Sequence, residues 1–183
     1  MTDLAHLVRI RLMAHGGVNE ALYGDLGQPV EEIIEAELSE PGSTNYYHNH
    51  WVALSHDEIV GGLHAYPWDD LENDSHNPLV PQERYAIEKP FTELSAPGTY
   101  YIHALSVYPE FTRRGIGSVL LALARELAIE RGITELSLFV FEQNSGAVSL
   151  YENHGYHVVG RRRIVPHRKI IYSGEVLLMT CSV

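Results

Sequence analysis

Apolar and charged residues alternate along Val8-Arg9-Ile10-Arg11-Leu12-Met13, so the stretch from Leu7 to Met13 predicts a first strand. Two short helical patterns follow, over Val18 to Leu26 and Pro29 to Leu38. The second has Pro29 at a favoured first-turn position and Glu31 and Glu32 near the positive end of the helix dipole. After the break at Pro41-Gly42, His50 to Leu54 and Glu58 to Tyr66 read as two strands of an antiparallel hairpin, turning at Ser55 to Asp57. The pattern then lapses. Pro67 to Gly98 is rich in Pro, Asp and Asn, with a weak helical signal near Pro81 to Ile87, and predicts a loop over an acceptor site.

The second half is more regular. Tyr100 to Tyr108 predicts a strand and Pro109-Glu110-Phe111 a turn. A helix follows from about Gly117 to Arg131, with Val119, Leu120, Leu123, Ala124 and Leu127 as its apolar stripe and Gly132 as its cap. The continuous apolar run Leu136 to Phe141 predicts a strand buried on both faces. Asn144 or Ser145 caps a short helix through Tyr151 that stops near Gly155, and His157 to Val165 and Glu175 to Ser182 close the chain as strands. Strand, helix, strand, helix, strand, strand requires a partly parallel sheet with crossover helices, so the fold class is α/β or α+β.

At 183 residues and 45% hydrophobic content the chain predicts one domain, 1–183, with an acceptor-side half over 1–98 and a second half over 99–183. Every apolar run near the start is interrupted by charge, which predicts neither a signal peptide nor a membrane span. Cys181 is the only cysteine, so an intramolecular disulfide and a cysteine metal cage are ruled out and a cytoplasmic location is expected. The net charge of -11 is uneven: residues 1–98 carry 17 acidic and 4 basic side chains, residues 99–183 carry 7 and 9. An acidic surface repels nucleic-acid phosphates, so no nucleic-acid partner is expected. The asymmetry suits a cationic acceptor at the front and an anionic ligand at the back, and equally a solvated acidic surface that keeps the protein soluble.

Candidate chemistry is concentrated at Arg113-Arg114-Gly115-Ile116-Gly117-Ser118, where a turn opens into a helix. Glycines remove side-chain bulk so that consecutive N–H groups can face one anion, and the helix dipole adds partial positive charge. Arg113 and Arg114 would add charge-assisted hydrogen bonds to a pyrophosphate. A dinucleotide-binding turn would need glycine at Leu120, and a nucleoside-triphosphate loop would need Gly-Lys-Ser or Gly-Lys-Thr; the chain has neither.

The segment YYIHALSVYPEFTRRGIGSVLLALARELA, followed by LSLFVFEQNSGAVSLYENHGYHVVGRRR, resembles the cofactor-binding core of the GNAT superfamily of N-acetyltransferases from Tyr100 to Arg163. The resemblance implies a mixed, mostly antiparallel sheet with a central splayed parallel pair, and acetyl-CoA as co-substrate without a metal. In that family the phosphate loop reads Gln or Arg, two residues, Gly, any residue, then Gly or Ala. Gly115 and Gly117 match, while Thr112 stands at the first position. By the same resemblance a bulge splays the preceding strand, and backbone groups at Leu105, Ser106 and Val107 bind the pantetheine arm. By the resemblance Asn144, in the pattern Asn-x-x-Ala-x-x-x-Tyr with Ala147, bonds the same arm through its side-chain amide, a role compatible with its reading as a plain helix cap.

Acetyl transfer to an amine needs a neutral nitrogen, a polarised thioester carbonyl and a proton for the departing thiolate. The resemblance assigns the last to the Tyr151 hydroxyl and the carbonyl's hydrogen bond to backbone N–H near Val107. The strand around His103 is similar to that of arylalkylamine N-acetyltransferases, which makes His103 the base and puts Tyr101 where a second histidine would stand. His103 reads equally as a satisfied histidine of a half-buried strand.

His48, His50, His56, His64 and His76 lack companion ligands for a metal. Tyr46, Tyr47, His48, Trp51 and Trp68 are an aromatic patch for an acceptor pocket or for core packing, and Arg161-Arg162-Arg163 is a solvated run or a contact to coenzyme phosphate. The resulting expectation is a small-amine N-acetyltransferase. A protein or peptide N-acetyltransferase and a non-catalytic acyl-CoA sensor are the alternatives, with a homodimer left open.

Overall fold

The computed structural model describes residues 3–73 and 80–183. Its first element is a helix where alternation predicts a strand: α1 runs Asp3–His15 and buries Leu7, Val8, Ile10 and Arg11. Those positions follow the i, i+1, i+3, i+4 spacing of a helical face. The alternation misleads because Arg11 is itself buried, 4% exposed, with its guanidinium 2.7 Å from the Glu37 carboxylate. That partner comes from α3 (Val30–Leu38), which follows the short α2 (Val18–Tyr23).

The hairpin forms as expected. β1 (His50–Ser55) and β2 (Glu58–Pro67) join through His56 and Asp57, both with positive φ, the two-residue turn whose twist suits adjacent strands. The described residues between 67 and 98 are more ordered than their composition predicts. They hold 3-10 turns at Trp68–Asn73 and Gln82–Arg84 and a helix α4 (Tyr85–Thr92) that buries Ile87 despite Pro90 in its last turn. Burial of an apolar face outweighs the proline here, because a proline near a helix end costs few ladder bonds.

The back half matches its reading closely. β3 (Tyr100–Val107), α5 (Ile116–Glu130), β4 (Glu135–Phe141), α6 (Ser145–Asn153), β5 (His157–Arg163) and β6 (Glu175–Ser182) follow in that order. Val119 is the exception: it is 66% exposed, whereas Leu120, Leu121, Ala124, Leu127 and Ala128 are buried. At about 100° per residue the stripe is centred between Leu120 and Ala124, which turns Val119 to solvent.

Among the described residues six strands form one sheet in the order β1-β2-β3-β4-β6-β5, antiparallel except for β3 beside β4. Alternation of side chains across β4 divides the core in two. Phe141 packs with α1 to α4 on one face, while Leu138 and Val140 pack with α5 and α6 on the other. Among the described residues no helix is long and apolar enough to cross a membrane.

Candidate active site

The parallel pair opens like a fork. β3 and β4 are paired only from Tyr100, Tyr101 and Ile102 to Leu136, Ser137 and Leu138. On the other side of β3 the register with β2 slips between His64 and Ala65, which face Ala104 and Ile102, so His103 is an extra residue in the strand. A bulge of this kind bends its strand and increases the local twist, and residues 104–107 diverge from β4 beyond it. A cavity of about 1240 Å³ fills the fork and continues to both faces of the sheet.

At one end the cavity meets the turn into α5. Gly115 has φ 81, open to glycine and unfavourable for other residues, and Arg113 shares the left-handed region at φ 63. The α5 ladder begins with Val119 N–H donating to the Gly115 carbonyl at 3.1 Å, so the amides of Ile116, Gly117 and Ser118 precede it. These three residues line the cavity together with Gly115, Arg113 and Thr112. Arg114 does not. Its guanidinium donates to the Glu110 carbonyl at 2.9 Å and lies over the Phe111 ring at 5.1 Å, which leaves Arg113 as the loop's cation at the wall. Gly117 has a packing role as well, since a Cβ there would sit 3.0 Å from Leu150 of α6.

Leu105, Ser106 and Val107 line the fork, and the Ser106 hydroxyl turns back to the Ile10 carbonyl at 3.1 Å, so this strand's main chain is what it offers. Asn144 caps α6, its Oδ1 accepting from Ala147 N–H at 3.3 Å, and both residues line the same wall. Tyr151 joins them from the last turn of α6. It is 6% exposed, and burial pushes its hydroxyl up to about 12.

The other end of the cavity is roofed by α1, α2 and α4, and this side was largely invisible in the sequence. His15, Asn19, Tyr23, Glu88 and Phe91 line it, together with Trp68 and Tyr101. Tyr46, Tyr47 and His48 stack on one another at 4.4 to 4.8 Å apart, and Trp51 packs in the α5-side core; none of them lines the cavity, so of the aromatic patch only Trp68 reaches it. Arg161 and Arg162 of β5 pair with Glu175 of β6 and Glu93 at the end of α4, at 3.3 and 3.2 Å, and neither arginine lines the cavity. Among the described residues no group of three or more His, Cys, Asp or Glu is arranged to hold a metal ion; His76 lies outside them.

His103 sits in a chain of half-buried rings around the fully buried His64, and their neighbours decide the tautomers. His15 Nδ1 faces the Arg11 carbonyl at 2.7 Å and must donate, so His15 Nε2 accepts from His103 Nε2 at 3.0 Å. His103 Nδ1 is then the acceptor for the Tyr66 hydroxyl at 2.9 Å. His64 lies 4.8 Å from His103 between ring centres, and His50 stacks on His64 at 3.8 Å. Burial lowers all four, His15 and His50 to about 4, and His64 and His103 well below the ordinary value.

Because folding depresses these pKa values, the unfolded chain binds more protons between about pH 6.5 and pH 4, and stability is lost as pH falls through that window. Each such proton tilts stability by about 1.4 kcal/mol per pH unit. Urea denaturation at pH 7 and pH 5 should show a clear drop in midpoint that His50→Gln makes smaller. A midpoint independent of pH would contradict the burial of neutral histidines.

Comparison with known proteins places this geometry. An acetyltransferase of Yersinia enterocolitica is 31% identical over 117 residues, covering 54% of this chain and 79% of that one. A mycothiol acetyltransferase of Clavibacter sepedonicus is 37% identical over 59 residues, and the match spans only 19% of that relative's length. A crystal structure of an acetyltransferase superposes with a TM-score of 0.66 at 25% identity, covering 99% of this chain and 95% of that one. The family model for "Acetyltransferase (GNAT) family" matches residues 20–156, which include the forked strands, the glycine turn and α6, and the chain belongs to that family.

Proposed function

We propose that this protein is an N-acetyltransferase that moves the acetyl group of acetyl-CoA to the primary amine of a small acceptor by direct attack. The observation that carries the reading is the single cavity joining the α5 amides to a roofed compartment on the opposite face, with Tyr151 lining its path. A roof of three helices suits a small acceptor better than a protein surface.

The residues present fit acetyl-CoA, which when bound supplies an activated thioester. The amides of Ile116, Gly117 and Ser118, with Arg113, would hold its pyrophosphate. Main-chain groups at Leu105 and Val107, left without β4 partners, and the side-chain NH2 of Asn144 would hold the pantetheine arm. Val107 N–H would bond the carbonyl, and Tyr151 would keep its proton until the sulfur departs. Low pKa keeps His103 neutral and available as the base. A proton arriving at Nδ1, once the Tyr66 hydroxyl turns from donor to acceptor, leaves the charge shared with His15 across their 3.0 Å contact.

Coenzyme A and acetyl-CoA should each give calorimetric heat and raise the melting temperature, by about 2.7 kcal/mol of stabilisation at a hundred times Kd. Thiol release from acetyl-CoA should then respond to small primary amines. Absence of heat with both ligands overturns the reading, and release with peptides alone moves the acceptor to proteins.

A further inference from the structure

Resting on the acetyltransferase reading, the hydrogen bonds around His103 identify a second histidine that works on the same proton. His50, His64, His103 and His15 lie in one row, but only the last two are joined nitrogen to nitrogen. His64 turns its Nε2–H to the Thr44 carbonyl at 2.9 Å, and His50 turns its Nδ1–H to the Tyr46 carbonyl at 3.2 Å. Their rings stack at 3.8 Å, a contact that carries no proton to His103.

His15 is placed differently. It is the last residue of α1, half-buried, and it lines the cavity beside His103 although 88 positions separate the two. Its Nδ1–H is spent on the Arg11 carbonyl one turn back, at 2.7 Å, so the ring is held with its Nε2 lone pair toward His103. At 3.0 Å that lone pair is satisfied only by the tautomer of His103 with hydrogen on Nε2, which confines the basic lone pair of His103 to Nδ1.

The same partner suits the charged form. When Nδ1 takes a proton, His103 donates from both nitrogens, and His15 Nε2 is already in place to accept, at the carbonyl end of a helix where positive charge is favoured. Arg11 of α1 opposes a charge there and Glu37 of α3 favours it, and these two pair with each other at 2.7 Å. The other titratable neighbours of the pair are rings: His64 and Tyr66 of β2, His50 of β1 and Tyr101 of β3.

We propose that His15 is a positioning residue for the proton-accepting step: it fixes the Nε2–H tautomer of His103 and steadies the imidazolium that forms when Nδ1 takes the acceptor's proton. As the bond from nitrogen to the acetyl carbon forms, the amine proton goes to His103 Nδ1. As the carbon–sulfur bond breaks, the sulfur takes the Tyr151 proton. The proton held by His103 then returns through solvent to the Tyr151 oxygen, which restores both groups. A histidine base commonly depends on a partner of this kind for its tautomer and for the stability of its charged form.

One part of the test needs no turnover. Nitrogen NMR of protein labelled in its histidine rings should show His103 of the resting wild type with hydrogen on Nε2 and none on Nδ1. His15→Phe keeps a ring and removes both nitrogens, and should leave the two tautomers of His103 mixed. In that variant kcat with a small primary amine should fall about tenfold to a hundredfold, while the KM for acetyl-CoA stays within about twofold. His15→Gln, whose side-chain carbonyl can accept the same hydrogen bond, should return kcat to within about fivefold of the wild type. His50→Gln alters the stacked pair without touching a hydrogen bond of His103, and should leave kcat within about twofold. A wild-type His103 with its hydrogen on Nδ1, an unchanged kcat in His15→Phe, no recovery with glutamine, or an equal loss in His50→Gln overturns the inference. Should the phenylalanine variant not fold, His15→Leu carries the same expectations. If the wild type gives neither heat with acetyl-CoA nor turnover, the acetyltransferase reading falls and the inference with it; heat and turnover alongside an unchanged kcat in His15→Phe remove the inference alone.

Discussion

Tyr151→Phe should lower kcat by about a hundred- to a thousandfold while the KM for acetyl-CoA stays within about twofold. The magnitude follows from the residue's place. The ring packs in the α5-side core at 6% exposure, and phenylalanine keeps that packing, so the change removes a hydroxyl and little else. With its pKa raised to about 12 by burial, that hydroxyl carries a proton at every working pH and is a donor and never a competing base. On the proposed mechanism this hydroxyl protonates the departing thiolate, so the loss falls on the chemical step and spares binding. Single-turnover kinetics check this directly. Equal acetyl-transfer rates in wild type and variant would remove Tyr151 from the mechanism.

The largest effect on stability is expected at Gly17, which joins α1 to α2. Its φ is 93, and a Cβ there would overlap the Lys169 carbonyl oxygen, with Ile170 Cα 3.0 Å away. Gly16 beside it accepts a hydrogen bond from Ile171 N–H at 3.0 Å, so residues 169–172 lie directly across the turn. A left-handed alanine costs about 1–2 kcal/mol, and overpacking against main chain adds about 1–3 kcal/mol. Gly17→Ala should therefore destabilise by about 2–5 kcal/mol, read as a lower urea midpoint at constant m. Gly27 supplies the comparison, with φ 86 and nothing within 4 Å, so Gly27→Ala should show the backbone part alone. Equal losses in the two variants would mean that the chain at Lys169 yields without cost. The turn also sets where His15 and Asn19 stand, so any Gly17→Ala protein that folds should lose acceptor kcat/KM before it loses coenzyme binding.

Much of the co-substrate half was legible because its signals are local. The glycine turn, the first turn of α5 and the Asn144 cap each depend on residues within a few positions of one another, and the structure places Gly115, Ile116, Gly117, Ser118, Asn144, Ala147 and Tyr151 on one cavity wall. Arg114 departs from this because the Glu110 carbonyl and the Phe111 ring lie nearer to its guanidinium than the cavity does, and periodicity carries no information about side-chain direction in a turn. The roofed end of the cavity depends on long-range contacts. His15 meets His103 across 88 positions, and Arg11 meets Asn45 across 34.

Taken alone, the order of residues determined the mixed fold class, the crossover architecture, the glycine turn into α5 and the family, since helix starts, caps and buried runs are written in consecutive residues. Tertiary structure decided that α1 is a helix, that residues 85–92 fold over the site, and that the acidic front places Glu88 as the one carboxylate on the described wall of the cavity. The reason is physical. Whether a charged side chain is solvated or buried depends on which distant group neutralises it, and Arg11 is inside only because α3 carries Glu37 to within 2.7 Å.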